Sequence, residues 1–251
     1  DDDDEDEPEV TVRILRDGEP VRRLTGPGTA GVHQVEWGMD RAGVRRATQD
    51  APDDPEEARE PGGPLALPGE YVVRVSLGPD TVETTLRLLP DPRTSYEPAV
   101  ARRVVALQER LLDAQRRATG AADRIRDARA TLARVQEVVA AHEGERADSL
   151  AAHGERIEAG LDSLYRAVEG EEIQGFRAGP DLLTPRLGTA SGEIGSGRCD
   201  EPSQAAIRAL ERAETAVGDF ASRVDAFLTT AWADYRAAVE AADLDLFGPG
   251  G

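Results

Sequence analysis

The chain has 251 residues, with 30 basic residues against 49 acidic ones and a net charge of −19. No apolar run approaches the roughly 20 residues that a membrane-spanning helix needs, and the negative charge repels the phosphates of nucleic acids. The single cysteine, Cys199, can form neither an internal disulfide nor a cysteine-based zinc site. We therefore expect one or two domains that neither span a membrane nor bind nucleic acid.

The chain begins with an acidic run, because residues 1–7 are all aspartate or glutamate. It has no initiator methionine, and no basic segment followed by an apolar one marks a signal peptide. We expect a piece of a longer protein, with residues 1–8 as an acidic linker. Loose binding of calcium by this run is the alternative interpretation.

The first half of the chain, residues 9–90, has apolar residues at every second position, which is typical of half-buried strands. Turn signals such as Asp17-Gly18 and Gly78-Pro79 separate the strands. The predicted strands are 10–15, 21–24, 32–37, 71–77 and 82–88. Five short strands with no helical pattern predict an antiparallel β-sandwich. His33 shares a face with Val35 and Trp37, so we expect it to pack in the core.

The composition changes within this half at residues 40–64, which are acidic, rich in proline and nearly free of large apolar residues. Such a segment cannot bury enough apolar surface to order itself. We predict a disordered surface loop inserted in the sandwich. A plain insertion is the preferred interpretation over a binding loop, since loops tolerate growth at low cost.

The second half, residues 91–245, is predicted to be helical. From Val100 to Val139 the apolar residues follow steps of three and four, which is a heptad pattern. A continuous helix over this range would be roughly 60 Å long. We expect Gly120 to be the place for a bend and Gly144 to end this helix.

Three further helices follow in the sequence. The second runs through residues 150–168 and ends at Gly170, and a short one is possible near residues 182–194. Pro202 is expected in the first turn of the last helix, with Asp200 or Glu201 as its cap. That helix should continue to about Asp243, before a flexible tail at 246–251.

Long amphipathic helices must cover their apolar stripes. In one chain they do so as an antiparallel bundle. The predicted fold class is therefore α+β, with two domains: a β-sandwich followed by a helical bundle with long coiled-coil-like helices. Heptads do not decide whether the partner helices come from the same chain, so a homo-oligomeric coiled coil stays open.

The sequence contains no recognisable motif of a catalytic, phosphate-binding or metal site. No Gly-x-Ser-x-Gly turn is present, and the absence of lysine excludes a Gly-Lys-Ser/Thr phosphate loop. A neighbouring arginine could activate Cys199, but it lies in a linker-like run. His142 and His153 are 11 residues apart, or about 16 Å along a helix, which is too wide for one zinc ion. We predict no enzyme and assign no catalytic, cofactor-binding or metal-binding residues.

Three runs of the first half carry a family resemblance. They are residues 10–24 with the Asp17-Gly18 turn, residues 30–37 with Val35-Glu36-Trp37, and residues 67–75 with Pro68-Gly69-Glu70-Tyr71. Together they resemble the Ig-like or fibronectin type III module near the C-terminus of bacterial secreted proteins with sortilin-like, BNR-repeat β-propellers. Those proteins are often labelled glycosyl hydrolases, but the Asp-box repeats of the propeller are not among these 251 residues.

The resemblance implies a secreted, periplasmic or cell-surface protein. On it we expect a non-catalytic structural or protein-interaction module, C-terminal to a propeller and docking on that propeller or on another envelope protein. The alternatives are an accessory part of a glycosyl hydrolase or peptidase whose active site lies in the propeller, and the homo-oligomeric coiled-coil scaffold.

Overall fold

The computed structural model describes residues 8–54, 58–173, 176–178, 182–196 and 200–242. The predicted α+β class is confirmed, with antiparallel strands followed by helices. The acidic run 1–7, Cys199 and the tail 246–251 lie outside the described residues. Within the described part, no helix is both long enough and apolar enough to cross a membrane.

The chain forms two compact units. The sheet unit comprises Asp1–Arg45, Ala51–Leu112 and Ile194–Ser203, and the helical unit comprises Arg46–Asp50, Asp113–Glu193 and Gln204–Gly251. This division falls inside a helix, whereas the sequence placed the boundary at residue 90. The period of the apolar pattern changes where the secondary structure changes, and that need not be where a compact unit ends.

The described residues of the sheet unit form six strands: β1 (Glu9–Arg16), β2 (Glu19–Pro27), β3 (Asp40–Ala42), β4 (Gly62–Leu65), β5 (Gly69–Leu77) and β6 (Asp80–Leu88). Four of them form an antiparallel sheet in the order β2-β1-β5-β6, and β3 pairs with β4. Two tight turns connect the hairpins. At the first, Asp17 and Gly18 have φ of 53° and 84°, as a two-residue hairpin turn requires.

One face of the sheet carries the core of this unit. Val12, Ile14 and Tyr71 are buried there, with exposed fractions of 8%, 2% and 2%. The ring of Trp37 meets that of Tyr71 edge-on at 5.4 Å. Ala66, next to β4, is also buried in this cluster. Alternation in the sequence predicted this inner face.

The predicted strand at 32–37 is wrong. The segment has no strand structure, although Val35 and Trp37 still pack on the core. At the outer edge of β2 the contacts to Arg23 come instead from Ala58 and Glu60. His33 is exposed, not in the core, and its Nε2 lies 2.9 Å from the carbonyl oxygen of Thr29.

The predicted loop 40–64 is structured at both ends, where it forms β3 and β4. The amide of Gly43 donates to the carbonyl of Pro61 at 2.8 Å, and that of Ala66 to the carbonyl of Met39 at 2.8 Å. The sequence did not predict these strands, because the run is rich in glycine and proline and has no alternating apolar pattern. Backbone bonds and the neighbouring core stabilise them, not their own apolar side chains.

The helices are α1 (Pro98–Ala140), α2 (Glu145–Glu169), α3 (Leu183–Ser196), α4 (Gln204–Thr229) and α5 (Ala231–Ala241), with a short strand pair β7 (Glu171–Ile173) and β8 (Phe176–Ala178). The heptad helix is continuous through Gly120. The predicted stop at Gly170 is confirmed, with φ of 82°. The predicted stop of α1 at Gly144 is wrong, because α1 ends at Ala140 and Gly144, with φ of 114°, caps the start of α2. The β7–β8 pair was not predicted.

In the helical unit, α2 runs antiparallel to both α1 and α5. Gln136 of α1 contacts Glu158 of α2, and Arg129, earlier in α1, pairs with Asp162, later in α2. A methyl group at Gly160 of α2 would overlap the ring of Phe227, and one at Gly154 would lie 3.2 Å from the hydroxyl oxygen of Tyr235. These two contacts bring helices close together.

The last predicted helix differs from the structure in two places. Its first helical residue is Gln204, so Pro202 precedes the helix instead of lying in its first turn. The helix is also interrupted at Thr230. The hydroxyl of Thr229 donates to the carbonyl of Asp225 at 2.7 Å, and that of Thr230 to the carbonyl of Ala226 at 2.6 Å. Such back-bonding competes with the helical ladder.

Candidate functional site

The outer edge of β2 is covered. The carboxylate of Glu60 accepts the backbone amide of Arg23 at 2.8 Å, and the guanidinium of Arg23 donates to the carbonyl of Ala58 at 2.7 Å. Arg22 is buried, with ion-pair distances of 3.4 Å to both Asp40 and Glu60. A strand partner therefore finds no free edge along this part of β2.

The outer edge of β6 is open. It is the last strand of the sheet, and no described strand pairs with its far side. Every residue from Asp80 to Arg87 is exposed. An edge strand of nine residues presents a row of unpaired backbone donors and acceptors to solvent.

The inner face of β6 is also uncovered. Val82 lies opposite Val75 and Leu86 lies opposite Tyr71, so both side chains continue the core face. Their exposed fractions are 67% and 38%. Leu88 alone on this strand packs on the core cluster. The sheet thus extends one strand beyond the residues that cover it.

Glu83 and Arg87 of β6 lie on the opposite face. The guanidinium of Arg74 donates to Glu83 at 2.6 Å across the β5–β6 pair. Arg87 forms no ion pair with any residue that the structure describes. We call Val82, Leu86, Glu83 and Arg87, with the outer backbone of the strand, the β6 edge.

A second candidate is an open cleft of about 970 Å³ between α3 and α4. Four arginines line it with two carboxylates: Arg186, Arg208, Arg212, Arg223, Glu211 and Asp219. The charged groups with which α4 lines the cleft are all exposed, where water and salt screen them. The cleft can attract an anion, but no buried polar group is present to select one.

Two arginines enclose Tyr165 within the helical unit. The guanidinium carbons of Arg126 and Arg129 lie 5.3 Å and 4.6 Å from its ring centre. Arg126 also donates to the carbonyl of Ala47 and pairs with Asp50 at 3.1 Å. Arg126 thus holds residues 46–50 on the helices, and Arg129 pairs with Asp162 of α2, so we assign both arginines a structural role.

The histidines do not form a site. His142 follows α1 and its Nδ1 lies 2.9 Å from the carbonyl oxygen of Val138, whereas the ring of His153 in α2 meets that of Tyr235 edge-on at 5.1 Å. In the described part of the chain, no three histidine, cysteine or acidic side chains are grouped as a metal site requires. Cys199 is not described.

The phenol of Tyr235 is buried in the helical unit. Its side chain is 1% exposed, and the hydroxyl has no hydrogen-bond partner among the described residues. Burial raises the pKa of this phenol, because the anion is disfavoured away from water. Its ring packs against those of His153 and Trp232, so we assign Tyr235 a packing role.

No family model, curated protein or solved structure matches the chain. The candidate site therefore rests on the geometry of the chain alone. Sequence reasoning assigned no site residues and missed the β6 edge. Its alternation is that of an ordinary covered strand, and only the missing cover in three dimensions distinguishes it.

Proposed function

We propose that this chain is a non-catalytic protein-interaction module, and that the β6 edge is its docking surface. The observation that carries the proposal is an outermost strand whose core-facing Val82 and Leu86 are exposed. Exposed apolar residues on a free strand edge favour addition of another strand, which supplies backbone hydrogen bonds and covers the side chains.

The family resemblance gives the context of the proposal. It favours a module C-terminal to a β-propeller in a secreted or cell-envelope protein, with the four-stranded sheet and the β3–β4 pair as a reduced Ig-like sandwich and the helices as a second domain. In this setting the module is a spacer and an assembly point, and any hydrolase activity belongs to the propeller.

Amide hydrogen exchange tests the docking role. We expect the outward-facing amides of β6 to exchange rapidly in the dilute isolated chain and at least tenfold more slowly in the full product of its gene. The amide of Arg23, already bonded to Glu60, is the internal control and should change little. Equal exchange of the β6 amides in both samples would contradict the proposal.

Turnover assays test the non-catalytic role. We expect the isolated chain to leave panels of glycans and peptides unchanged. Reproducible turnover that a single substitution abolishes would show an active site in this chain and overturn this part of the proposal.

A further inference from the structure

We infer that the strand added to the β6 edge is β6 of a second copy of this chain, in antiparallel pairing about a two-fold axis. This inference rests on the proposed function, since it names the partner for the same edge. Joining two four-stranded sheets in this way gives one continuous sheet of eight strands and removes both free edges.

The alternation of β6 restricts the register. Residues directly opposite in paired strands point to the same side of the sheet. Val82 and Leu86 are on the inner face, whereas Glu83 and Arg87 are on the other. A shift by one residue would place apolar side chains opposite charged ones. Only registers with a residue on its own symmetry axis keep the two faces separate.

Charge selects one of these registers. With Thr85 opposite its own copy, Glu83 lies opposite Arg87 of the second copy, and symmetry makes this ion pair twice. Val82 then lies opposite Leu88, and Thr84 opposite Leu86, on the inner face. Arg87 has no ion-pair partner among the described residues, so this pairing supplies one.

The neighbouring register pairs Val82 with Leu86 but is less complementary in charge. With Thr84 on the axis, Glu83 lies opposite Thr85 and Arg87 opposite Thr81, so neither charge is matched. Asp80 would also lie opposite Leu88. The strand is thus complementary to itself in the Thr85 register, which favours a second copy over an unrelated strand as the occupant.

Charge reversal with mixing tests the pairing. In sedimentation equilibrium the unmodified chain should approach twice its mass of 26.9 kDa at concentrations on the order of 100 μM, as a small interface implies. Glu83→Arg and Arg87→Glu each place like charges opposite one another twice. Each should weaken self-association about tenfold or more.

An equimolar mixture of the two variants restores both opposite-charge pairs, so it should associate within about threefold of the unmodified chain. Glu19→Arg, a reversal at the start of β2, is the matched control and should associate normally. Circular dichroism confirms that each variant is folded. Failure of the mixture to recover, or equal association of all variants, would overturn the register and the pairing.

A chain that stays monomeric throughout this concentration range also overturns the self-pairing. The proposed function fails separately, through unprotected β6 amides in the full gene product. Protected amides together with a monomeric isolated chain would assign the edge to a strand of another partner.

Discussion

The outer edges of the four-stranded sheet differ in how they are covered. Along β2, residues 58–61 accept the amide of Arg23 and surround the buried guanidinium of Arg22. Along β6, nothing in the described part of the chain plays this role. Both strands have nine residues. A segment distant in sequence, not the strand itself, therefore decides whether an edge is available for binding.

The largest expected effect comes from the core that both edges share. Tyr71→Ala removes a ring that is 2% exposed and packs on Trp37, and it should lower the free energy of unfolding by about 3–5 kcal/mol. Tyr71→Phe, which loses only the hydroxyl bonded to the Leu67 carbonyl, should cost about 1 kcal/mol. Urea unfolding measures both, and equal losses would contradict the account of the core.

The second largest effect is expected at the covered edge along β2. Arg22→Ala leaves Asp40 and Glu60 without their buried cation, and because both carboxylates keep some contact with water we expect a loss of about 2 kcal/mol. Arg87→Ala is the matched change on the open edge and should stay within about 0.5 kcal/mol. The comparison of the two edges is contradicted if the two variants unfold at the same urea concentration.

The same substitution, valine to threonine, can be compared at a buried and at an exposed position of the inner face. Val12 is 8% exposed and Val82 is 67% exposed. Val12→Thr buries a hydroxyl and should cost about 1–3 kcal/mol, whereas Val82→Thr should change the unfolding free energy by no more than about 0.5 kcal/mol. Chemical denaturation of the dilute chain measures both. A large cost at Val82 would mean that β6 is covered in solution.

The smallest effect is expected in the exchange rate of one backbone amide on the covered edge, that of Arg23. Glu60→Ala removes the acceptor of the Arg23 amide at a cost of about 1 kcal/mol, so that amide should exchange about fivefold faster. Glu60→Gln keeps an acceptor oxygen and should lie between. Unchanged exchange in both variants would show that the carboxylate does not protect this edge.

Local patterns in the sequence predicted the elements that they determine by themselves. Alternation predicted β1, β2, β5 and β6, and Gly170, with positive φ, ends α2 as expected. Elements stabilised by distant partners were missed. The strands β3 and β4 depend on backbone bonds across the loop, and the heptad pattern continues unbroken through the interruption at Thr230.

The candidate site was beyond sequence reasoning for the same physical reason. Val73 and Val82 occupy equivalent places in alternating strands, and they differ only in whether other residues cover them. Cover is a property of tertiary packing. Likewise, Trp37 and Val35 were correctly placed on the core face, but the prediction that His33 shares it is wrong because the segment is not a strand.

The close contacts of α2 have a consequence for how the helices are aligned lengthwise. Phe227 lies against Gly160, and the Tyr235 hydroxyl against Gly154. Slipping α2 by one turn, about 5.4 Å, would bring Arg156 or Leu164 beneath the phenylalanine ring and close the gap that admits it. The missing side chains of the two glycines leave room for Phe227 and Tyr235, and this fit fixes the lengthwise alignment of the helices. Insertions and deletions in α2 should therefore be tolerated only outside residues 154–160.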